Sequence, residues 1–161
     1  MITQGIRQSN GVAVVASMVL AGCAAASPPA DDWFAWGFLE AEGSDPSRLF
    51  YGIPDTDNIA IGFICEPGSG RATLRFHDEI EGAATLALGS GNHAVSYNLN
   101  EAPQHDASVR EADVELDQPV IAGFRRTGQL RAVIAGEGTN ISARSISERK
   151  AVANFWKSCR A

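Results

Sequence analysis

The residues of this 161-residue chain that could do chemistry are three histidines, three cysteines, and scattered serines and acids. A hydrolase needs a nucleophile beside a base, paired carboxylates, or metal ligands at usable spacing. His77, His93 and His105 stand at no helical i, i+4 interval, and neither H-E-x-x-H nor C-x-x-C occurs. The sequence therefore assigns no catalytic residue, no metal site and no cofactor. Gly68-Ser69-Gly70 and Gly89-Ser90-Gly91 lack the G-x-S-x-G spacing of a nucleophile elbow and read as turns. Asp55-Thr56-Asp57-Asn58 begins like a calcium loop, but Ile59 and Ala60 follow where further oxygen ligands would be required, so Asx-type turn chemistry is the expectation. Acids are plentiful from Glu101 to Asp117 without a spacing that singles out an acid/base pair. One basic group stands out: Arg125, Arg126 and Arg131 are candidate anion-binding residues for phosphate or carboxylate, the alternative being solvated charge on an edge hairpin.

The N-terminal residues have a different character. Residues 1–10 carry one charge, Arg7, and no acid; residues 11–20 are apolar except for Ser17, and small residues follow. That order is the one found in secretory signals, and the apolar stretch is shorter than the roughly 20 residues a membrane span requires. Leu20-Ala21-Gly22-Cys23 resembles the bacterial lipobox. The resemblance implies a lipoprotein signal peptide over residues 1–22, a mature chain beginning at Cys23, and a diacylglyceryl (with further acyl, palmitate-like) modification of that cysteine. Two or more acyl chains hold a protein stably in a membrane, since each buried methylene contributes about 0.8 kcal/mol. Ala24 after the cysteine resembles the sorting default for the outer membrane, so the expected location is the cell envelope, lipid-anchored and facing the periplasm. Residues 23–32, with Pro28-Pro29 and Asp31-Asp32, read as a tether.

Residues 33–161 must supply the fold. Short apolar segments separated by Gly, Pro, Asn and Asp recur every 8–12 residues or so, the spacing of antiparallel sandwiches and barrels. Ile59, Ile61, Phe63 and Cys65 share one strand face; Ala72, Leu74 and Phe76 share another, opposite Arg71, Thr73, Arg75 and His77, with a turn over residues 66–70 joining them. Alternation at Val120, Ala122 and Phe124, then at Leu130, Ala132 and Ile134, predicts a second hairpin with Arg126-Thr127-Gly128-Gln129 at its tip. Weaker strands are expected over 85–88, 94–99, 113–116 and 139–143, and a loop over 104–110. At the C-terminal end the period changes. Val152, Phe155, Trp156 and Cys159 fall on one helical stripe, and Ser145 with Glu148 makes a capping box, which predicts a helix over 145–160. The expected class is mainly β: an antiparallel sandwich or barrel-like sheet with one C-terminal helix packed on it. Of Trp33 and Trp36, which cannot share a strand face, one is expected to be exposed.

With Cys23 given to lipid, Cys65 and Cys159 both point to the core, and export makes a disulfide between them the expectation, two buried thiols being the alternative. Composition narrows the function classes. A net charge of −6 argues against a nucleic-acid binder, and 45% hydrophobic residues against disorder. The sequence thus reads as a non-catalytic envelope lipoprotein that meets the membrane through its lipid and binds or supports an envelope protein or glycan. Phe63-Ile64-Cys65-Glu66-Pro67-Gly68 is similar to the Cys-bearing strand and Gly turn of the small β-barrel lysozyme-inhibitor lipoproteins, which implies a periplasmic inhibitor as an alternative. Those inhibitors also carry Ser-Gly-x-x-Tyr and Trp-x-Lys-Gly; Ser90-Gly91-Asn92-His93-Ala94 lacks the tyrosine and the second segment is absent. A hydrolase with a dispersed site at His77 or His93 and an aspartate is the remaining alternative.

Overall fold

A computed structural model describes residues 33–77, 85–102 and 109–160. Residues 1–32, on which the expected signal peptide, the lipidation of Cys23 and the expected tether fall, and His105 lie outside the described residues. The fold is mainly β, built from two antiparallel sheets. The six-stranded sheet contains β1 (Ala35–Leu39), β2 (Ser47–Gly52), β3 (Ile59–Cys65), β4 (Arg71–His77), β7 (Asn100–Glu101) and β8 (Val109–Glu115), in the order β1-β2-β3-β4-β8-β7. The four-stranded sheet runs β10-β9-β5-β6, from β5 (Thr85–Ser90), β6 (His93–Asn98), β9 (Arg131–Ile134) and β10 (Glu137–Asn140). Helix α1 spans Pro119–Thr127 and helix α2 spans Ile146–Ser158.

The β3–β4 hairpin has the alternation seen in the sequence: Ile61, Phe63, Cys65, Ala72 and Leu74 are buried, and Phe63 lies opposite Leu74. Inward side chains of both sheets and both helices make one core, centred on Trp36, Phe63, Phe124, Phe155 and Trp156. Trp36 is buried, whereas Trp33 is 76% exposed. No helix among the described residues is long and apolar enough to cross a membrane.

Helix α2 starts where the capping box places it. The Glu148 N–H donates to Ser145 Oγ at 3.1 Å and the Ser145 N–H donates to Glu148 Oε2 at 2.7 Å. Its stripe of Val152, Phe155, Trp156 and Cys159 is buried against the sheet. The helix ends in the β3–β4 turn. Gly68 N–H donates to Ser158 O and Gly70 N–H to Cys159 O, giving partners to carbonyls that a helix end otherwise leaves unsatisfied. Cys65 and Cys159 are joined by a disulfide across the same junction, with Cα atoms 5.8 Å apart.

The second hairpin over residues 120–134 does not form. Residues 119–127 are helix α1, so the chain has a short second helix besides the C-terminal one. Val120, Ile121 and Phe124 are all buried, an i, i+1, i+4 set that a strand cannot place on one face. Pro119 occupies the first turn, Arg125 and Arg126 the last, and Gly128 closes the helix in the left-handed region at φ 69°. Gly123 lets α1 approach β5 closely, since a Cβ there would lie 2.9 Å from Ser90 Oγ. Substituting Gly128→Ala should destabilise the fold by about 1–2 kcal/mol, the cost of a left-handed non-glycine residue. The added methyl would also meet Ala143 at 3.2 Å. A urea midpoint unchanged from wild type would contradict this.

The hairpin partner of β9 is β10, and β5 pairs with its other side. Ala135 and Gly136, with φ of 48° and 86°, form the two-residue turn between β9 and β10, the positive pair that strand twist favours in hairpins. Other boundaries move as well. The loop expected over 104–110 ends earlier, because Val109 and Arg110 already pair with His77 and Phe76 in β8. The strand expected over 139–143 stops at Asn140. Gly89 and Ser90 close β5, leaving Gly91 (φ 59°) to start the turn to β6.

Candidate functional site

The described residues enclose an apolar cleft of about 310 Å³ between the two sheets. Tyr51, Ile61 and Phe76 reach it from the six-stranded sheet, Ala132 and Ile134 from β9, and Ile141 from the segment after β10. Phe34 covers one side, its ring 5.5 Å from that of Tyr51. The floor is buried, whereas Phe34, Phe76 and Ile134 remain half-buried at its walls. Glu137 and Thr139 are the polar groups at the rim. A volume near the low end of the few hundred to about 1,000 Å³ typical of small-molecule sites, lined by apolar side chains with a few polar groups, suits one compact apolar group and no more.

Segments that flank the cleft are tied together by hydrogen bonds outside it. Trp36, two residues after Phe34, donates from Nε1 to Ile141 O at 2.5 Å and from its backbone N–H to Glu148 Oε1 at 3.2 Å. The same carboxylate also accepts the N–H groups of Arg144 (2.9 Å) and Ser145 (2.7 Å). Glu148 thus ties the start of β1, the Ile141–Arg144 segment and the start of α2 together. Burial would raise its pKa, but the hydrogen bonds from Ser145, Trp36 and Arg144 outweigh that and hold the carboxyl below its ordinary value.

The sequence-nominated residues are not brought together. Arg125 and Arg126 lie in the last turn of α1, where they complement the helix dipole. Arg131 opens β9, and its guanidinium lies over Gly138, where any Cβ would meet it at 2.3 Å. The three arginines therefore surround no hairpin tip. The wall of a separate polar cleft contains Arg131 with Arg144 and Arg149 instead. His77 ends β4 in one sheet and His93 opens β6 in the other. Ser90 is buried and donates from Oγ to Gln129 O at 2.6 Å, a structural bond between β5 and the segment that follows α1. Ser69 sits in the turn that receives helix α2 and bonds Arg71 O. Asp55, at φ 61°, and Thr56, bonded to Ile53 O, shape the turn into β3. Among the described residues, no group of three His, Cys, Asp or Glu side chains has metal-binding geometry.

Two arrangements had no sequence signal. On the solvent face of β4 and β8, Arg71 pairs with Glu115 and Arg75 with Glu111, the second at 2.6 Å. Their hydrogen bond holds Glu115 below, and Arg71 above, its usual pKa. Tyr97 bonds Gln118 at the start of α1, and burial pushes its phenol up to about 12. These are cross-element ties, legible only once β4 is known to lie beside β8 and β6 beneath α1. Comparison with known protein families, with curated proteins and with solved structures gives no match.

Proposed function

We propose that this chain is a non-catalytic lipoprotein of the cell envelope, anchored through Cys23 in the outer membrane and facing the periplasm. Its β-domain binds the apolar part of an envelope component in the cleft between the sheets. The observation that carries the binding role is that cleft: two sheets that otherwise share a closely packed core leave Phe34, Phe76 and Ile134 half-covered around a space of about 310 Å³. Apolar surface left open forgoes roughly 25 cal/mol per Å², so a ligand group that fills it gains what the fold leaves unused. Anchoring is supported by Leu20-Ala21-Gly22-Cys23 in the sequence. Export is supported by the Cys65–Cys159 disulfide, a bond that persists in oxidising compartments.

The test uses N-phenyl-1-naphthylamine, an uncharged apolar fluorophore, titrated into the purified full chain in detergent-free vesicles. The expected result is saturable enhancement above the vesicle background, weakened about tenfold or more by Ala132→Phe, which puts a ring into the cleft, and by Ile134→Glu, which puts a charge there. Enhancement that is absent, or equal in wild type and in both variants with native circular dichroism, would remove the binding role.

A further inference from the structure

We propose that the end of the domain bearing Trp33, Ile146, Arg149 and Lys150 rests on an anionic lipid bilayer. The Glu148 carboxylate fixes the geometry, since its bonds to Trp36 and Ser145 hold the first residues of β1 against the first turn of α2. Trp33 is three residues upstream of Trp36, so its Cα lies within about 11 Å of that junction. Ile146 is the first residue of α2. Trp33 is 76% and Ile146 80% exposed, and they are two of the three large apolar side chains left open among the described residues. Neither exposure helps the fold.

Charge points the same way. Ile146, Arg149 and Lys150 share one exposed helix face by their i, i+3, i+4 spacing. The only acid of α2, Glu148, is buried, so the exposed surface of the helix carries Arg149, Lys150 and Lys157 with no carboxylate, on a chain of net charge −6. Helix stability does not explain cations near this N-terminal end, where the dipole favours acids. A tryptophan, an exposed isoleucine and two cations at one end match the headgroup region of a membrane, where indole rings settle and basic side chains meet anionic lipid.

The occupant follows from where the chain enters. Under the anchoring proposed above, on which this choice of occupant rests, the ten-residue tether over 23–32 ends at Trp33 and reaches at most about 35 Å. The end it joins is therefore kept within that reach of the anchoring lipid. Asp31 and Asp32 subtract from the electrostatic attraction, which leaves insertion of Trp33 and Ile146 as its necessary complement.

The experiment places the full chain in phosphatidylcholine vesicles containing about a third phosphatidylglycerol, with bromine on lipid chains near the glycerol, and reads tryptophan emission. Trp36 and Trp156 are 4% and 2% exposed, so quenching reports Trp33. Bromolipid quenching that disappears in Trp33→Phe supports docking. So does a docked-to-undocked ratio lowered about fivefold by each of Arg149→Gln and Lys150→Gln. Quenching of Trp33 by aqueous acrylamide with no effect of bromolipid overturns it. The anchor is read separately from the intact mass. A chain bearing lipid at Cys23 but lacking bromolipid quenching sinks docking and leaves anchoring intact. A Cys23→Ala chain that binds the same vesicles with the same arginine and lysine dependence supports docking without the anchor.

Discussion

Replacing Cys65 and Cys159 together by alanine lowers the unfolding free energy by about 4–5 kcal/mol, as read from guanidinium midpoints of the oxidised wild type and the double variant. The bridge closes a loop with a sequence separation of 94, and constraining a denatured chain on that scale is worth this much on the chain-entropy account. It also sits where other bonds depend on it. The turn after β3 donates from Gly68 and Gly70 to Ser158 O and Cys159 O, so freeing the cysteines loosens the seat of the helix C-terminus. Since small domains retain only about 5–15 kcal/mol in total, reduction should bring this one close to unfolding at physiological temperature. A loss below about 1 kcal/mol would show that the helix is held by its buried stripe alone, against the constraint argued from loop length.

Glu148→Ala costs about 3 kcal/mol, the second largest effect expected. The substitution removes a carboxylate that accepts from Trp36, Arg144 and Ser145, and hydrogen bonds to a charged group are worth about 1.5–3 kcal/mol even before the stranded donors are counted. Gln in its place should recover part of the loss by keeping one acceptor oxygen. The carboxyl also gives stability a pH dependence. Its pKa is lowered in the folded state, so its contribution is fully present above the ordinary carboxylate range and is lost as pH falls through the depressed folded value. The wild-type advantage over Glu148→Gln should therefore be constant from neutrality down to about pH 5 and shrink below it. An advantage that grew on acidification would contradict the assignment.

Much of this architecture was legible because local signals agreed. For α2, the cap residues Ser145 and Glu148 and the stripe from Val152 to Cys159 give the same start and the same buried face. For β3 and β4, strict alternation flanks a turn rich in glycine. The cysteine pair was legible because each residue stands on a buried face of its own element. Residues 119–127 were misread because Val-Ile-Ala-Gly-Phe satisfies both periods: Val120, Ala122 and Phe124 fit a strand, while Val120, Ile121 and Phe124 fit a helix. Pro119 at the first turn and Gly128 after the last were the discriminating signals. The cleft as a whole could not be read. Ile61 and Phe76 face each other across the legible β3–β4 hairpin. Phe34 reaches them only beside Tyr51 through the pairing of β2 with β3, and Ile134 only through the placement of β9 beside β5 and of one sheet on the other, arrangements that no single segment encodes. The bond from Trp36 to Glu148 spans 112 residues and has no local trace either.

The proposed envelope role stands first on the fate of Cys23, and the intact mass of the chain purified from membranes of the cells that make it measures that fate most directly. The account predicts a chain that begins at Cys23, carries a diacylglyceryl group on its sulfur, and is two mass units lighter than its reduced form through the Cys65–Cys159 bond. A chain that retains residues 1–22 with an unmodified Cys23 would contradict it.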